Sequence, residues 1–245
     1  MEEQFVSMLV VGSMIILVIV CLAIYIIYKK CRSTKPPPYC ELKESVSYQH
    51  SRPAYVLDRE VTVTVIQGDI TEEQVDVIVN AANGRLQHGG GVARAIASKA
   101  GNEINKEGQR KLNLREGHKL NVSEVLHTSG YNLPAKYVIH AVGPVRGKDH
   151  SFRPLLHKTF LNCLEYAEML EAQSIAIPLI SSGIYGGGKS ECAESLVNAV
   201  IEFSQNHDFM ILKTIRLVNI DDEATRAINT ILPIALEKTG QKQSY

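Results

Sequence analysis

The sequence predicts a three-layer α/β domain, with helices on both faces of a mixed, mostly parallel sheet, preceded by a single transmembrane helix. Three observations predict it. From residue 61 onward, strand-like and helix-like runs alternate, the pattern of a sheet packed on both faces. Two glycine-rich loops each stand between a strand-like and a helix-like run. Near the start, residues 8–28 carry no charge, and a bilayer core needs about 20 apolar residues.

Taken in order, the chain opens with seven residues that include Glu2 and Glu3. The uncharged run follows and ends with Tyr25 and Tyr28, at the level where tyrosines anchor a membrane helix. An acidic start, a long apolar run and no small-residue cleavage site argue against a removable signal peptide. Lys29, Lys30, Arg32 and Lys35 come next, and positive charge stays on the cytoplasmic side. This predicts residues 1–7 outside the cytoplasm and the rest of the chain in the cytosol. Cys31, beside the membrane, is open to palmitoylation or to remaining a plain thiol.

Residues 29–58 lack periodicity and are predicted to be a linker. Within them Pro36-Pro37-Pro38-Tyr39 presets a polyproline II helix. The run resembles the PPxY ligand of WW-domain ubiquitin ligases, and a plain spacer is the alternative. Tyr39-Cys-Glu-Leu42 resembles a tyrosine-based sorting signal.

The globular domain is predicted over 59–240, with a tail at 241–245. Strands are predicted at 61–66, 75–79, 123–128, 137–142, 175–180 and 215–220, from their β-branched and apolar content. Helices are predicted at 92–100, 103–111, 155–170, 192–203 and 223–237, from apolar residues at helical spacing. Pro233 is expected to kink or shorten the last one. Ligands bind outside the C-terminal ends of parallel strands, and both glycine loops follow strand ends.

Composition narrows the function. Lys and Arg together balance Asp and Glu at 26 each, so no basic excess argues for nucleic acid. The five cysteines include no C-x-x-C pair, which gives neither a metal spacing nor a disulfide framework. The first loop holds Asn80, Asn83 and Gly89-Gly90-Gly91; the second runs from Ser181 to Gly188. Glycine lets backbone approach a ligand closely, and free N–H groups at a helix start attract anions. Two such loops point to a ligand with more than one phosphate, or a phosphate flanked by sugars.

Five runs together resemble the macrodomain family. They are Gly68-Asp-Ile-Thr71, Val79-Asn-Ala-Ala-Asn83, His88-Gly-Gly-Gly-Val92, Ile139-His-Ala-Val-Gly-Pro144 and Ile180-Ser-Ser-Gly-Ile-Tyr185. The resemblance covers about residues 60–240 and implies a macrodomain fold whose ligand is ADP-ribose, with no cofactor. It implies that Asp69 and the Ile70 N–H read the adenine. Asn83 would hold the distal ribose, with Gly89, Gly90, Gly91 and Val92 beside it. Ser182, Gly183, Ile184, Tyr185 and Gly186 would cradle the diphosphate, and Ile220 or Asn219 would have to serve where relatives place a stacking aromatic. Asn80 is expected to tether the strand end.

Some members of that family hydrolyse ADP-ribose from modified proteins. In one hydrolase branch an aspartate follows Gly-Gly-Gly-Val; here the position is Ala93. That favours a binding-only reader over a hydrolase, in which Asn83 and His88 would be the catalytic candidates. Two other functions stay open: a membrane adaptor that recruits a ubiquitin ligase beside a degenerate domain, and a nucleotide triphosphatase. The second rests on Gly183 to Ser190, which satisfies the P-loop spacing G-x-x-x-x-G-K-S.

Overall fold

The structure, a computed structural model, describes residues 54–206 and 211–240. The predicted membrane helix, its basic flank, the Pro36 to Tyr39 motif and the 241–245 tail lie outside the described residues. Among the described residues, no helix is long and apolar enough to cross a membrane.

Seven strands form one sheet: β1 (Ala54–Val56), β2 (Thr62–Gln67), β3 (Val77–Ala82), β4 (Val125–Ser129), β5 (Tyr137–Val142), β6 (Ser174–Ile177) and β7 (Thr214–Asn219). Their spatial order is β1-β2-β7-β6-β3-β5-β4. The five central strands run parallel, and the two edges, β1 and β4, pair antiparallel. The sheet is therefore mixed and mostly parallel. β1 falls inside the stretch the sequence assigns to linker; three residues just after Pro53 are too short a run to show strand periodicity.

Five helices complete the fold: α1 (Gly91–Ala100), α2 (Glu103–Asn113), α3 (Phe152–Met169), α4 (Lys189–Asn206) and α5 (Asp222–Thr239). Side chains alternate between sheet faces with a period of two, and the core divides accordingly. Val63, Val65, Val77, Val79, Ile215 and Leu217 pack with residues of α3, α4 and α5. Ile66, Ile78, Val138, Ala176 and Val218 pack on the opposite face with Ile96 of α1 and Ile104 of α2. Pro233 lies inside α5, which continues to Thr239; a proline costs an interior hydrogen bond, and Leu232 and Leu236, both fully buried, hold the turn in place.

Edge strand β4 would expose unpaired backbone groups, and α2 covers them. Glu107 Oε2 accepts from Ser129 N at 2.9 Å, and Lys111 Nζ donates to the His127 carbonyl at 2.8 Å. The two side chains also pair with each other at 3.0 Å. Helical neighbours four residues apart thus do the work of a missing strand. Burial alone would raise the Glu107 carboxyl, but the Ser129 N–H, the Tyr131 hydroxyl and Lys111 hold it down at about 2. A shift from 4.5 to about 2 corresponds to roughly 3 kcal/mol favouring the folded, ionised state. That stabilisation is complete above the unfolded value of 4.5 and is lost as pH falls through about 2. Glu107→Gln is expected to lower the melting temperature most at neutral pH, with the gap to wild type closing as pH approaches 2; pH-resolved thermal melts check it.

Candidate functional site

Parallel strands that leave one edge of the sheet in both directions open a crevice where the order diverges. Here β3 pairs with β5 on one side and β6 on the other. The loops after β3 and β6 are the two glycine loops, so adjacent strands deliver them side by side. With the turns after β2 and β7 they enclose a cleft of about 680 Å³.

The first loop is built on Asn83. Its Oδ1 accepts from Arg85 N at 3.1 Å and Gln87 N at 3.0 Å, while its Nδ2 donates to the Gln87 carbonyl at 2.7 Å. An asparagine that bonds its own backbone in this way stabilises a turn. One amide hydrogen remains for a ligand. The loop then enters α1 through Gly90, with no capping side chain. Gly91 has φ +55°, a conformation that costs glycine nothing. The first-turn N–H groups of a helix have no intrahelical partner, and Gly91, Val92 and Ala93 of that turn line the cleft.

The second loop is pinned by Ser181, a residue the sequence did not single out. It is buried with φ +65°. Its hydroxyl donates to the Pro144 carbonyl at 2.8 Å, and its carbonyl accepts from Gly187 N at 2.9 Å. Non-glycine residues rarely adopt this conformation, so these bonds determine it, and no sequence pattern announced it. Ser182 spends its hydroxyl on the Leu179 carbonyl at 2.7 Å. The N–H groups of Gly183, Ile184 and Tyr185 have no acceptor among the described residues. Ile184, 87% exposed, stands at the rim, its Cδ1 3.6 Å from where a Gly90 side chain would begin. Burial raises the Tyr185 phenol above its ordinary value, which keeps it a neutral hydrogen-bond donor at physiological pH.

At the far end lie Asp69, Ile70, Ile220 and Asp221. The Asp69 carboxylate is exposed, and its Oδ1 caps the following turn through Thr71 N at 2.9 Å. The second oxygen is available. Ile220 is 79% exposed. Asn219 is buried beside it, with Oδ1 accepting from Leu179 N at 2.9 Å and Nδ2 without a partner among the described residues. Gln87, Gly143 and Asp221 line the cleft without being predicted as ligand residues.

Two predicted residues fall outside the lining. Gly186 closes a turn within the second loop, its N–H donating to the Gly183 carbonyl at 2.9 Å. His88 turns inward: its Nδ1 is 3.3 Å from Asn80 Nδ2, and its ring centroid is 5.5 Å from that of His140. Burial lowers the His88 imidazole below its ordinary value. Asn80 is fully buried and also donates to His140 Nδ1 at 2.9 Å, so it tethers the strand end. The remaining predicted ligand residues all face the cleft.

Lys189, the lysine of the P-loop spacing, is turned to Asp221 and to Glu223 Oε2, the latter at 2.7 Å. A P-loop lysine must reach the phosphates; this one is paired at the start of α5, and nothing in the cleft supports the triphosphatase alternative.

Comparisons with known proteins agree with this geometry. Residues 79–196 match the family model described as Macro domain. An O-acetyl-ADP-ribose deacetylase from Escherichia fergusonii is 42% identical over 171 residues, covering 69% of this chain and 94% of that protein. An uncharacterised Thermotoga maritima protein is 43% identical over 165 residues; the match spans 67% of this chain but only 27% of that longer relative. A solved structure of a mutant Oceanobacillus iheyensis macrodomain with ADPR superposes with TM-score 0.70 at 34% identity, covering 73% of this chain and 96% of that one.

Proposed function

The chain belongs to the Macro domain family, and from that premise we propose that its cleft binds ADP-ribose, free or carried by a mono-ADP-ribosylated protein, as a reader. The observation that carries the proposal is the pair of adjacent loops with unpartnered N–H groups on both sides of one cleft. Such groups bind phosphate oxygens without any side-chain charge. The ligand lies with its base towards Asp69 and Ile70, its diphosphate between Gly183 to Tyr185 and the start of α1, and its distal ribose at Asn83. Asp69 Oδ2 accepts from an exocyclic amine there. Because that carboxylate is exposed, the bond adds selectivity more than affinity.

Binding without hydrolysis follows from what faces the Asn83 end. A hydrolase needs a group to position or deprotonate water at the anomeric carbon. Ala93 contributes only a methyl group, and His88 points away from the cleft. The carboxylates that line it, Asp69 and Asp221, stand at the base end. The 42% identity to a deacetylase supports hydrolysis as the second reading. Incubating the full chain with a mono-ADP-ribosylated protein separates the two. The reader retains the modification on its target through many binding cycles; release of ADP-ribose at a rate proportional to the amount of protein establishes the hydrolase.

Residues 8–28 and their basic flank support a further part of the proposal: a single membrane span that holds the domain 59–240 in the cytosol. Pro36, Pro37 and Tyr39 then present a WW-domain ligand close to the bilayer. An epitope placed before residue 8 is expected to be accessible on the non-cytosolic side of sealed vesicles; accessibility from the cytosolic side contradicts this topology.

A further inference from the structure

We infer that Arg146 is a positioning residue for the diphosphate: it staples the two ends of the Gly186-Gly187-Gly188 run and so sets where the second glycine loop meets its ligand. The inference rests on the assignment of the cleft to ADP-ribose, and it adds a residue that acts without lining that cleft.

Three consecutive glycines lose more backbone freedom on ordering than any other three residues. Here they separate the N–H groups of Gly183 to Tyr185 from the start of α4. Substitution cannot stiffen the first two positions. Gly186 has φ +73°. A Cβ at Gly187 would lie 2.6 Å from Cys192 Sγ, 2.7 Å from Phe152 Cζ and 2.9 Å from the Ser181 carbonyl oxygen. The order must therefore come from outside the run.

Arg146, in the turn after β5, supplies it at both ends. Its backbone N–H donates to the Tyr185 carbonyl at 2.8 Å, immediately before the glycines. Its Nη1 donates to Glu191 Oε1 at 2.7 Å, just after them in the first turn of α4. Between these two bonds its guanidinium lies 4.9 Å from the centre of the Phe152 ring, the ring that leaves Gly187 no room for a side chain. The turn that carries Arg146 is itself braced. Val145 N donates to Asp149 Oδ2 at 2.6 Å, and Lys148 N and Asp149 N both donate to the Val145 carbonyl at 3.2 Å. At the other end Glu191 is a firm anchor, with its side chain only 11% exposed. Arg153 Nε reaches the same Glu191 oxygen at 2.8 Å, and Arg153 Nη1 reaches Glu194 at 3.2 Å. Arg153 makes no hydrogen bond to the second loop among the described residues. Two arginines thus share one carboxylate oxygen, and Arg146 is the one that also holds the loop.

The test measures the affinity of the full chain, in nanodiscs of neutral phosphatidylcholine, for ADP-ribose by calorimetry and for adenosine by ligand-observed NMR. Adenosine occupies the base end alone. Arg146→Ala and Glu191→Ala are each expected to weaken ADP-ribose binding about fivefold, the effect of losing one charge-assisted bond that orders a loop. Adenosine is expected to bind both as it binds wild type. The two substitutions remove opposite charges. Simple attraction of the diphosphate would make Arg146→Ala weaker and Glu191→Ala tighter, whereas a broken staple weakens both. The double substitution is expected to bind no more weakly than Arg146→Ala, because the same contact is lost only once. Arg153→Ala removes a cation from the same carboxylate and leaves the staple intact, so it is expected to bind ADP-ribose as wild type does. Glu191→Ala that binds ADP-ribose as tightly as wild type, or more tightly, overturns the inference. So does a loss in Arg153→Ala equal to that in Arg146→Ala, or an adenosine affinity that falls in step with that for ADP-ribose. Failure of free ADP-ribose to bind wild type overturns the cleft assignment itself, and the role of Arg146 with it.

Discussion

Gly183→Glu is expected to weaken ADP-ribose binding by ~100-fold or more, a loss of about 2.7 kcal/mol, in a protein that folds normally. A Cβ at Gly183 meets nothing within 4 Å, and this glycine is not among those with positive φ. The backbone therefore accepts a side chain without strain. The space the side chain enters is the cleft, between the unpartnered N–H groups of the second loop and the start of α1. There a glutamate takes the volume of the diphosphate and sets a negative charge against it. Because nothing in the core moves, stability is expected to stay within about 0.5 kcal/mol of wild type. Calorimetric titration alongside a thermal melt checks both halves; a variant that binds normally would show that the diphosphate does not lie against this loop.

Gly143→Ala is expected to do the opposite, damaging the fold first and binding as a consequence. The added methyl would lie 2.2 Å from Ser181 Oγ and 2.5 Å from Ile180 Cγ2. Ser181 cannot yield freely, because its hydroxyl holds Pro144 and its left-handed backbone carries the second loop. Overpacking of this kind costs about 1–3 kcal/mol, and displacing Ser181 also moves the N–H groups of Gly183 to Tyr185. A fall in melting temperature with a matching loss of affinity is the expected result. Unchanged stability would show that the strand ends of β5 and β6 are less tightly joined than the geometry requires.

The parallel strands were legible in the sequence because burial on both faces leaves continuous β-branched and apolar runs. Strand β5 was predicted to the residue. The apolar run at 175–180 was read three residues too long: the chain leaves the ladder after Ile177, since Pro178 has no N–H to donate, yet Leu179 and Ile180 remain buried. Helix α4 starts at Lys189 rather than at 192, because the apolar pattern begins only once the first turn is complete.

The cleft residues were legible through the spacing of the glycine loops, but the roles of individual side chains were less so. Asp69 and Asn83 each hydrogen-bond their own turn, which leaves part of their capacity to a ligand. His88 sits beside glycines and was read as a candidate for the chemistry; its partners, Asn80 and His140, are 8 and 52 positions away, and only the pairing of β3 with β5 brings the latter close. Burial takes the His140 imidazole down to about 3. With Asn80 donating to its Nδ1, the ring keeps its proton on Nε2 for Thr128, 3.0 Å away. The hydrogen bonds that Ser181 and Asn219 make were not legible, since serine and asparagine next to glycine or at a strand end are ordinary turn residues.

The most direct measurement is calorimetric titration of the full chain with ADP-ribose. A cleft lined by two sets of free backbone N–H groups predicts saturable binding of one ADP-ribose per chain, lost in Gly183→Glu and retained in His88→Gln. Folded protein that takes up no ADP-ribose, or that binds it equally well with Gly183 replaced by glutamate, would contradict the assignment of this cleft.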